Sequence, residues 1–325
     1  MKVIVTGGAG YIGSCTVEAL LDRGDEVAVI DNLSTGNRGA LFPEVPFHEL
    51  DLLDTDGVRG VLEGFGAEAV VHFAAASLVG ESVNEPEKYM ENNVAGTLSL
   101  LRAMRAAGTR NLVFSSTAAT YGEPHFVPIT EDHPTVPTNP YGLTKRFMEQ
   151  AMETYDRAYG LRFTALRYFN AAGATKTRGE HRAIETHLIP LVLRVALKQR
   201  KSIAIFGTDW DTPDGTCVRD YIHVEDLASA HLLALDRLAH GGHSMICNLG
   251  TGEGFSVREV IDVCREVTGL DIAVEESDRR PGDPARLVAS ADRARKELGW
   301  RPHKPELKTI VHDAWEWTKQ HPTGY

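Results

Sequence analysis

Val3-Ile4-Val5-Thr6-Gly7-Gly8-Ala9-Gly10-Tyr11-Ile12-Gly13 is the stretch that decides the fold. An apolar run of strand length enters a glycine turn and leaves it in an apolar pattern of helical period through Val17, Leu20 and Leu21. Gly7, Gly10 and Gly13 recur at every third position. That spacing gives room for a tight turn, for backbone to approach a diphosphate, and for a helix to pack closely on its strand. The first amides of the helix then face an anion. A second apolar run at 27–31 ends in Asp31, at the distance where a carboxylate accepts the ribose hydroxyls of a dinucleotide. Asp31 would repel a 2′-phosphate, which argues for NAD over NADP, with Arg38 as the nearby cation on the other side of the argument. The plain alternative is a glycine turn in a doubly wound domain that binds nothing.

Working outward, strand and helix patterns alternate through the first half. Strands are predicted at 3–6, 27–31, 47–52, 69–75, 111–117 and 163–169, which completes an α/β dinucleotide fold. One long helix is predicted from Pro86 to Gly108 and another from Pro140 to Gly160, each stopped by glycine. Their apolar content leaves room for a self-association surface. After Asn170 the order changes: a glycine- and charge-rich stretch at 171–182, a helix over 187–198, a strand at 203–206, and a long loop containing Thr212-Pro213-Asp214-Gly215. Loops of that kind commonly hold ligands. Strand and helix signals return at 221–224, 225–238 and 247–249, and Ser256-Val257-Arg258-Glu259 reads as a capping box before another helix.

The 325 residues, 42% apolar, are enough for two lobes sharing a cleft. A net charge of −11 argues against nucleic acid, so an anionic ligand needs a local cluster of arginines and amides. Cys15, Cys217, Cys247 and Cys264 lack metal spacing and read as reduced thiols. No apolar run approaches the ~20 residues of a membrane span; no membrane partner and a cytoplasmic location are expected. His181, His187 and the His240/His243 pair show no third ligand at helical spacing, so no metal is expected.

Tyr141 and Lys145 are four residues apart at the start of the second long helix, which puts both on one face about 6 Å apart along the axis. A phenol beside an ammonium is an acid–base group: tyrosine titrates near pH ~10 alone, and a cation there favours the phenolate. An isolated Tyr-x-x-x-Lys is more often a ring packed on a lysine stem. The glycine turn changes the balance.

Further runs sharpen the picture: His72-Phe73-Ala74-Ala75, Asn92-Asn93-Val94-x-Gly96-Thr97, Phe114-Ser115-Ser116-Thr117-Ala118-Ala119-Thr120-Tyr121-Gly122, Arg167-Tyr168-Phe169-Asn170, and Asp214-Gly215-Thr216-x-Val218-Arg219-Asp220-Tyr221-Ile222-His223-Val224. With the N-terminal turn and Tyr141/Lys145, they make the chain resemble the UDP-glucose 4-epimerase family of the extended short-chain dehydrogenase/reductases. The likeness runs from the first strand past Arg280-Pro281-Gly282-Asp283. It implies a Rossmann-type doubly wound parallel sheet over 1–180 with a later return near 217–240, and a smaller α/β domain, mainly for the nucleotide sugar, over 181–325. It implies an NAD-dependent isomerase that interconverts UDP-galactose and UDP-glucose through a 4-keto sugar, and a homodimer built on the two long helices.

The resemblance also implies roles position by position. Tyr141 would move the proton of the 4-hydroxyl, Thr117 would hydrogen-bond the reacting oxygen, and Lys145 would hold the nicotinamide ribose and tune Tyr141. NAD contacts would come from Gly7, Gly10, Tyr11, Ile12 and Gly13 at the turn, Asp31 and Asn32 at the ribose, Asp51 and Leu52 at the adenine, Phe73, Ala74 and Ala75 after the fourth strand, Asn92, Tyr141, Lys145 and Phe169. The nucleotide sugar would meet Thr117, Tyr141, Asn170, His187 with Leu188, Ala204, Ile205 and Phe206, Arg219, Arg280 and Asp283. Two positions depart from the family pattern: Ser77 stands where many members carry a lysine that reaches the cofactor, and His187 where asparagine is frequent. Leu287 falls where the family has a residue, often bulky, that limits space beside the sugar's 2-substituent. With Leu287, UDP-N-acetylhexosamines are a further expected substrate. A 4,6-dehydratase is disfavoured because Ala118-Ala119 follows Thr117 where that chemistry needs an Asp-Glu pair. Another nucleotide-sugar epimerase or a 4-ketoreductase stays open, and an NAD-sensing regulator is opposed by the complete Thr, Tyr and Lys set.

Overall fold

The computed structural model describes residues 1–280 and 283–325. Pro281 and Gly282 of the Arg280–Asp283 match lie outside the described residues. Six strands, β1 (Lys2–Thr6), β2 (Glu26–Asp31), β3 (Phe47–Glu49), β4 (Ala69–His72), β5 (Asn111–Thr117) and β6 (Arg162–Tyr168), are joined by a seventh from much later in the chain. Between and after them lie β7 (Asn170–Ala172), β8 (Ile203–Phe206), β9 (Val218–Arg219), β10 (Tyr221–His223), β11 (Met245–Leu249), β12 (Phe255–Ser256), β13 (Val274–Ser277) and β14 (Arg286–Leu287). The main sheet runs β3-β2-β1-β4-β5-β6-β11 and every pair in it is parallel. Strands buried on both faces need no alternation, which is why Val3-Ile4-Val5 and Ala69-Val70-Val71 read as continuous apolar runs. The order reverses between β1 and β4. A crevice opens there, beyond the carboxyl ends of the strands, where doubly wound sheets bind ligands.

Helices cover both faces. α1 (Tyr11–Arg23) lies on one; α2 (Thr55–Phe65), α5 (Gly96–Ala107) and α6 (Pro140–Tyr159) cover the other, over a core of Ile4, Val70, Leu112, Phe114, Leu101, Met104, Met148 and Met152. Two short helices, α3 (Val79–Asn84) and α4 (Pro86–Tyr89), precede α5. The single helix expected from Pro86 to Gly108 is instead three pieces: α4, a π-helical turn at Met90–Ala95, and α5. The wide turn accommodates Asn93, whose amide is occupied by backbone: Nδ2 donates to Ala76 O at 3.0 Å and Oδ1 accepts from Ala76 N at 2.8 Å. Such widened turns often mark functional sites.

The later return to the sheet exceeds the expected 217–240. α8 (Val224–Ala239) packs Leu227, Ala230 and Leu235 beside Val3 and Val29; β11 adds the seventh strand on β6; and α10 (Asp292–Leu298) brings Ala294 and Leu298 to the same core. Trp300, fully buried there, donates from Nε1 to Asp226 O at 2.9 Å. A chain whose apolar helix faces alternate between two cores must cross between them repeatedly, and boundaries drawn by sequence position miss this. The second core gathers α7 (Leu188–Ala196), α9 (Val257–Thr268) and α11 (Leu307–Gln320) with β8 and β10. α9 starts in the expected capping box: Ser256 Oγ accepts from Glu259 N, and Glu259 Oε2 accepts from Ser256 N.

Candidate active site

The glycine turn is a cradle shaped by what cannot fit. Gly7 has φ of 75°, and a Cβ there would sit 2.6 Å from Ala74 N; a Cβ on Gly13 would sit 2.1 Å from Gly7 O. Only glycine leaves the turn tight and the helix close to its strand. α1 then begins at Tyr11 with Gly10 as its N-cap, so no side chain takes its first amides. Those free donors, under a roof without side chains, fit a dinucleotide's diphosphate. Asp31, 7% exposed, closes the far end: Oδ2 accepts from Ala9 N at 3.0 Å and Oδ1 from Leu33 N at 2.8 Å. Burial nevertheless pushes its carboxyl above the ordinary value, with both amides opposing. Asn32 and Asp51 lie side by side, Nδ2 to Oδ2 at 2.8 Å, next to buried Leu52. Phe73, Ala74 and Ala75 follow β4, and the Phe73 ring rests on His231 at 4.7 Å. Asn92 donates to Asn93 Oδ1 at 3.0 Å. Phe169 falls between β6 and β7, at the carboxyl edge of the sheet.

Tyr141 stands at the mouth of this crevice. Asn139 caps α6 by accepting from Gly142 N at 2.9 Å, Pro140 occupies the first turn where its missing N–H costs nothing, and Tyr141 follows. Thr117, the last residue of β5, approaches it from the sheet, near enough to work against the rise of the phenol's pKa, while its Oγ1 accepts from Ala119 N at 3.2 Å. Tyr89 meets the Tyr141 ring edge-on at 6.5 Å and is itself pinned through its hydroxyl to Leu78 O at 2.7 Å and Glu81 Oε2 at 2.8 Å.

Lys145 lies one turn along α6: its ammonium is 6.0 Å from the centroid of the Tyr141 ring and donates to Ser115 O at 2.9 Å. Burial pushes the Tyr141 phenol above its ordinary value, against smaller opposing effects of Thr117 and Arg182. Burial also depresses Lys145 to about 7, with Glu149 one turn on working the other way. One helical turn holds the two side chains on one face, but the lower dielectric of the crevice outweighs their mutual effect in the protein alone.

Beneath them is a buried ionic support. Glu149 takes Arg167 in a fork, Nε to Oε1 at 2.8 Å and Nη2 to Oε2 at 2.6 Å, and accepts from Ser116 Oγ at 2.7 Å. Ser115 pairs with the Tyr168 hydroxyl. His72 joins Thr6 Oγ1 at 2.7 Å and Thr97 Oγ1 at 2.9 Å, held near 3 by burial and by Lys145, and so neutral.

The expected sugar residues come from the elements around the second core and the loops that join it to the sheet. β8 carries Ala204, Ile205 and Phe206, and the Arg280 guanidinium stacks on Phe206 at 4.3 Å. Arg219 donates from Nη1 to Val218 O and Pro284 O, both at 2.9 Å, and approaches Asp283 at 3.7 Å. Leu287 is its register partner across the β9/β14 pair. Asn170 begins β7, its amide bonded to Asp220 O at 3.0 Å. Leu188 opens α7, and His187 caps that helix without a side-chain bond to it. The imidazole turns instead to Glu185 Oε1 at 2.8 Å and Glu180 Oε1 at 3.1 Å. Burial alone would depress it, but Glu180 and then Glu185 hold it protonated, up to about 9. The sequence showed His187 no third metal-type ligand; the fold supplies Glu180 and Glu185 within 4.8 Å. With the imidazole protonated, its Nδ1 donates to both carboxylates and the cluster forms an ion-pair network. All four cysteines are buried free thiols.

Residues 3–250 match the NAD dependent epimerase/dehydratase family. The chain belongs to that family. Within the epimerase/dehydratases it is 57% identical to the UDP-glucose 4-epimerase of Corynebacterium glutamicum over 98% of this chain and 96% of that one. A UDP-glucose 4-epimerase crystal structure superposes with a TM-score of 0.98 at 51% identity, covering 100% of this chain and 99% of the other. The enzyme of Brucella ovis, solved in complex with NAD, gives 0.95 at 45% identity over 97% and 98% of the two chains.

In this epimerase/dehydratase the fold joins Thr117, Tyr141 and Lys145 at one end of the crevice and the glycine cradle with Asp31 at the other. Tyr89, Ser115, Glu149 and Arg182 also shape the site and escaped the sequence reading. Tyr89 and Glu149 looked like ordinary helix positions, and Arg182 lay in a stretch with no period; only its charge, rare near an expected anion site in an acidic chain, offered a signal.

Proposed function

We propose that this protein interconverts UDP-galactose and UDP-glucose, with NAD held in the crevice at the β1/β4 switch point. The observation that carries the reading is the meeting of Thr117 and Tyr141 at the mouth of the glycine cradle, with Lys145 one turn below. NAD, when bound, accepts the hydride from C4 and returns it, and its positive ring favours the phenolate. Tyr141 takes the proton of the 4-hydroxyl and gives it back, Thr117 orients the sugar oxygen, and Lys145 holds the cofactor's ribose from Ser115 O. Arg219 and Arg280 hold the nucleotide-sugar diphosphate across the cleft. Asp31 favours NAD by repelling a 2′-phosphate.

The catalytic cycle has no net redox, so a single test separates this reading from a ketoreductase. The purified protein is incubated with UDP-galactose without added cofactor, and UDP-glucose is followed. Conversion supports the epimerase; a requirement for stoichiometric NAD(P)H refutes it. The same reading makes the enzyme cytoplasmic and a homodimer through α5 and α6, where Phe147 and Tyr159 remain exposed. Among the described residues no helix is long and apolar enough to cross a membrane.

A further inference from the structure

Arg182 reaches across the crevice towards the loop that follows β4. Its Nη1 lies 3.3 Å from Ser77 Oγ, and its Nε donates to Glu180 Oε1 at 2.8 Å. Glu180 is held in turn by His187 at 3.1 Å, and although burial opposes ionisation, His187 and Arg182 keep its carboxyl at about 2. The guanidinium is therefore anchored from behind by a fixed anion. Among the described residues its Nη2 has no hydrogen-bond partner within the protein, and the side chain stays 27% exposed. Its charge is felt at the hydroxyls of Tyr11, Tyr141 and Tyr168. Tyr11 opens α1 at the glycine cradle and Tyr141 opens α6. The geometric contacts of Arg182 place it at Ser77, on the loop that leaves β4 at the carboxyl edge of the sheet.

A helix N-terminus offers roughly half a charge, whereas a diphosphate carries about two, and on the β4 side of the crevice Ser77 adds none. A planar fork with free donors, already oriented by a carboxylate, matches paired phosphate oxygens. We propose that Arg182 is the cation that clamps the diphosphate of the dinucleotide and keeps the cofactor resident. The clamp rests on the reading that NAD occupies the crevice. The nucleotide sugar carries the same chemical group, and Arg219, bonded to Pro284 O, with Arg280, packed on Phe206, are the cations proposed for it. The Glu180–His187 network positions the clamp.

Arg182→Met, Arg182→Lys and the double variant Arg182→Met/Ser77→Lys are compared with the native protein. Three quantities are read: NAD released per chain on denaturation after exhaustive gel filtration, the affinity of stripped protein for NAD by calorimetry, and the affinity for UDP. Loss of one charge-assisted contact predicts NAD affinity weaker by about tenfold to a hundredfold in Arg182→Met. UDP affinity stays unchanged, and cofactor content recovers when Ser77→Lys restores an ammonium at the same place. NAD content and affinity equal to native in Arg182→Met overturn the clamp, and so does weakened UDP binding with NAD unaffected, which would assign Arg182 to the nucleotide sugar. If Arg182→Met does not fold, Arg182→Lys decides: several-fold weaker NAD binding supports the fork, and unchanged binding overturns it. A native protein that neither carries nor takes up NAD would remove the proposed function as well, whereas equal binding by native and variant removes the clamp alone.

Discussion

Replacing Glu149 by leucine would leave the Arg167 guanidinium charged inside the protein with its partner gone. Glu149 is fully buried and Arg167 is 3% exposed. Four hydrogen bonds disappear with the carboxylate: two from Arg167 at 2.8 and 2.6 Å, one from Ser116 Oγ at 2.7 Å and one from Arg146 at 3.2 Å. Breaking one half of a buried pair costs about 3–5 kcal/mol, while replacing both halves by apolar residues is often close to neutral. With an unfolding entropy near 2.1 cal/mol/K per residue over 325 residues, a loss of about 4 kcal/mol lowers Tm by roughly 6 °C. Scanning calorimetry at saturating NAD, which holds ligand stabilisation constant, should find that drop for Glu149→Leu and a similar one for Arg167→Met. The double variant should lie well above the sum of the two. A Glu149→Leu protein melting within 1 °C of native, or a strictly additive double variant, would refute the view that this pair supports the strand end carrying Ser116 and Thr117.

Four other expectations follow from the same geometry. Tyr141→Phe should lower kcat by about 10²–10⁴-fold in the UDP-galactose assay while leaving bound NAD unchanged; native turnover would remove the assigned base. His187, whose pKa is raised from 6.5 to about 9 in the folded protein, contributes stability fully below pH 6.5 and loses it as pH rises through about 9. Melting curves from pH 6 to 10 should therefore fall more steeply for the native protein than for His187→Gln, and parallel curves would contradict the ion pairs. Gly13→Ala puts a methyl 2.1 Å from Gly7 O, an overpacking cost of about 1–3 kcal/mol; the variant should be less stable and emerge from gel filtration without NAD. UDP-GlcNAc should turn over in the native protein and at least tenfold more slowly in Leu287→Tyr, with UDP-galactose turnover kept; no native turnover at saturating UDP-GlcNAc would sink the role given to Leu287.

The glycine turn and the parallel strands were legible because their signals are local: three glycines at a fixed spacing, two of which, Gly7 and Gly13, have no space for a methyl, and apolar runs without alternation. The approach of Tyr141 to Thr117 was legible through a resemblance, since their positions on α6 and β5 are 24 apart in sequence and no periodicity links them. The direction of the Tyr141 shift was not legible, because spacing reports which side chains share a helix face and says nothing about how dry that face is. The break at Met90–Ala95 was hidden because Pro86 and Gly108 bound a region of helical composition, and the π turn arises from Asn93 bonding the β4 loop. Arg182 was hidden for a related reason: its partners Ser77 and Glu180 come from two loops, and loop conformation is set by the packing around it rather than by composition.

The late arrival of β11 has a consequence for how the protein must be made. Until residues beyond 245 have left the ribosome, β6 ends the nascent sheet with an unpaired edge, and the apolar surface later covered by α8 and α10 faces water. A fragment ending at 180 would carry that bare edge permanently and should aggregate rather than fold as an autonomous nucleotide-binding module. Expression trials and directed evolution on this scaffold are thus confined to the uninterrupted polypeptide, with grafts restricted to surface turns.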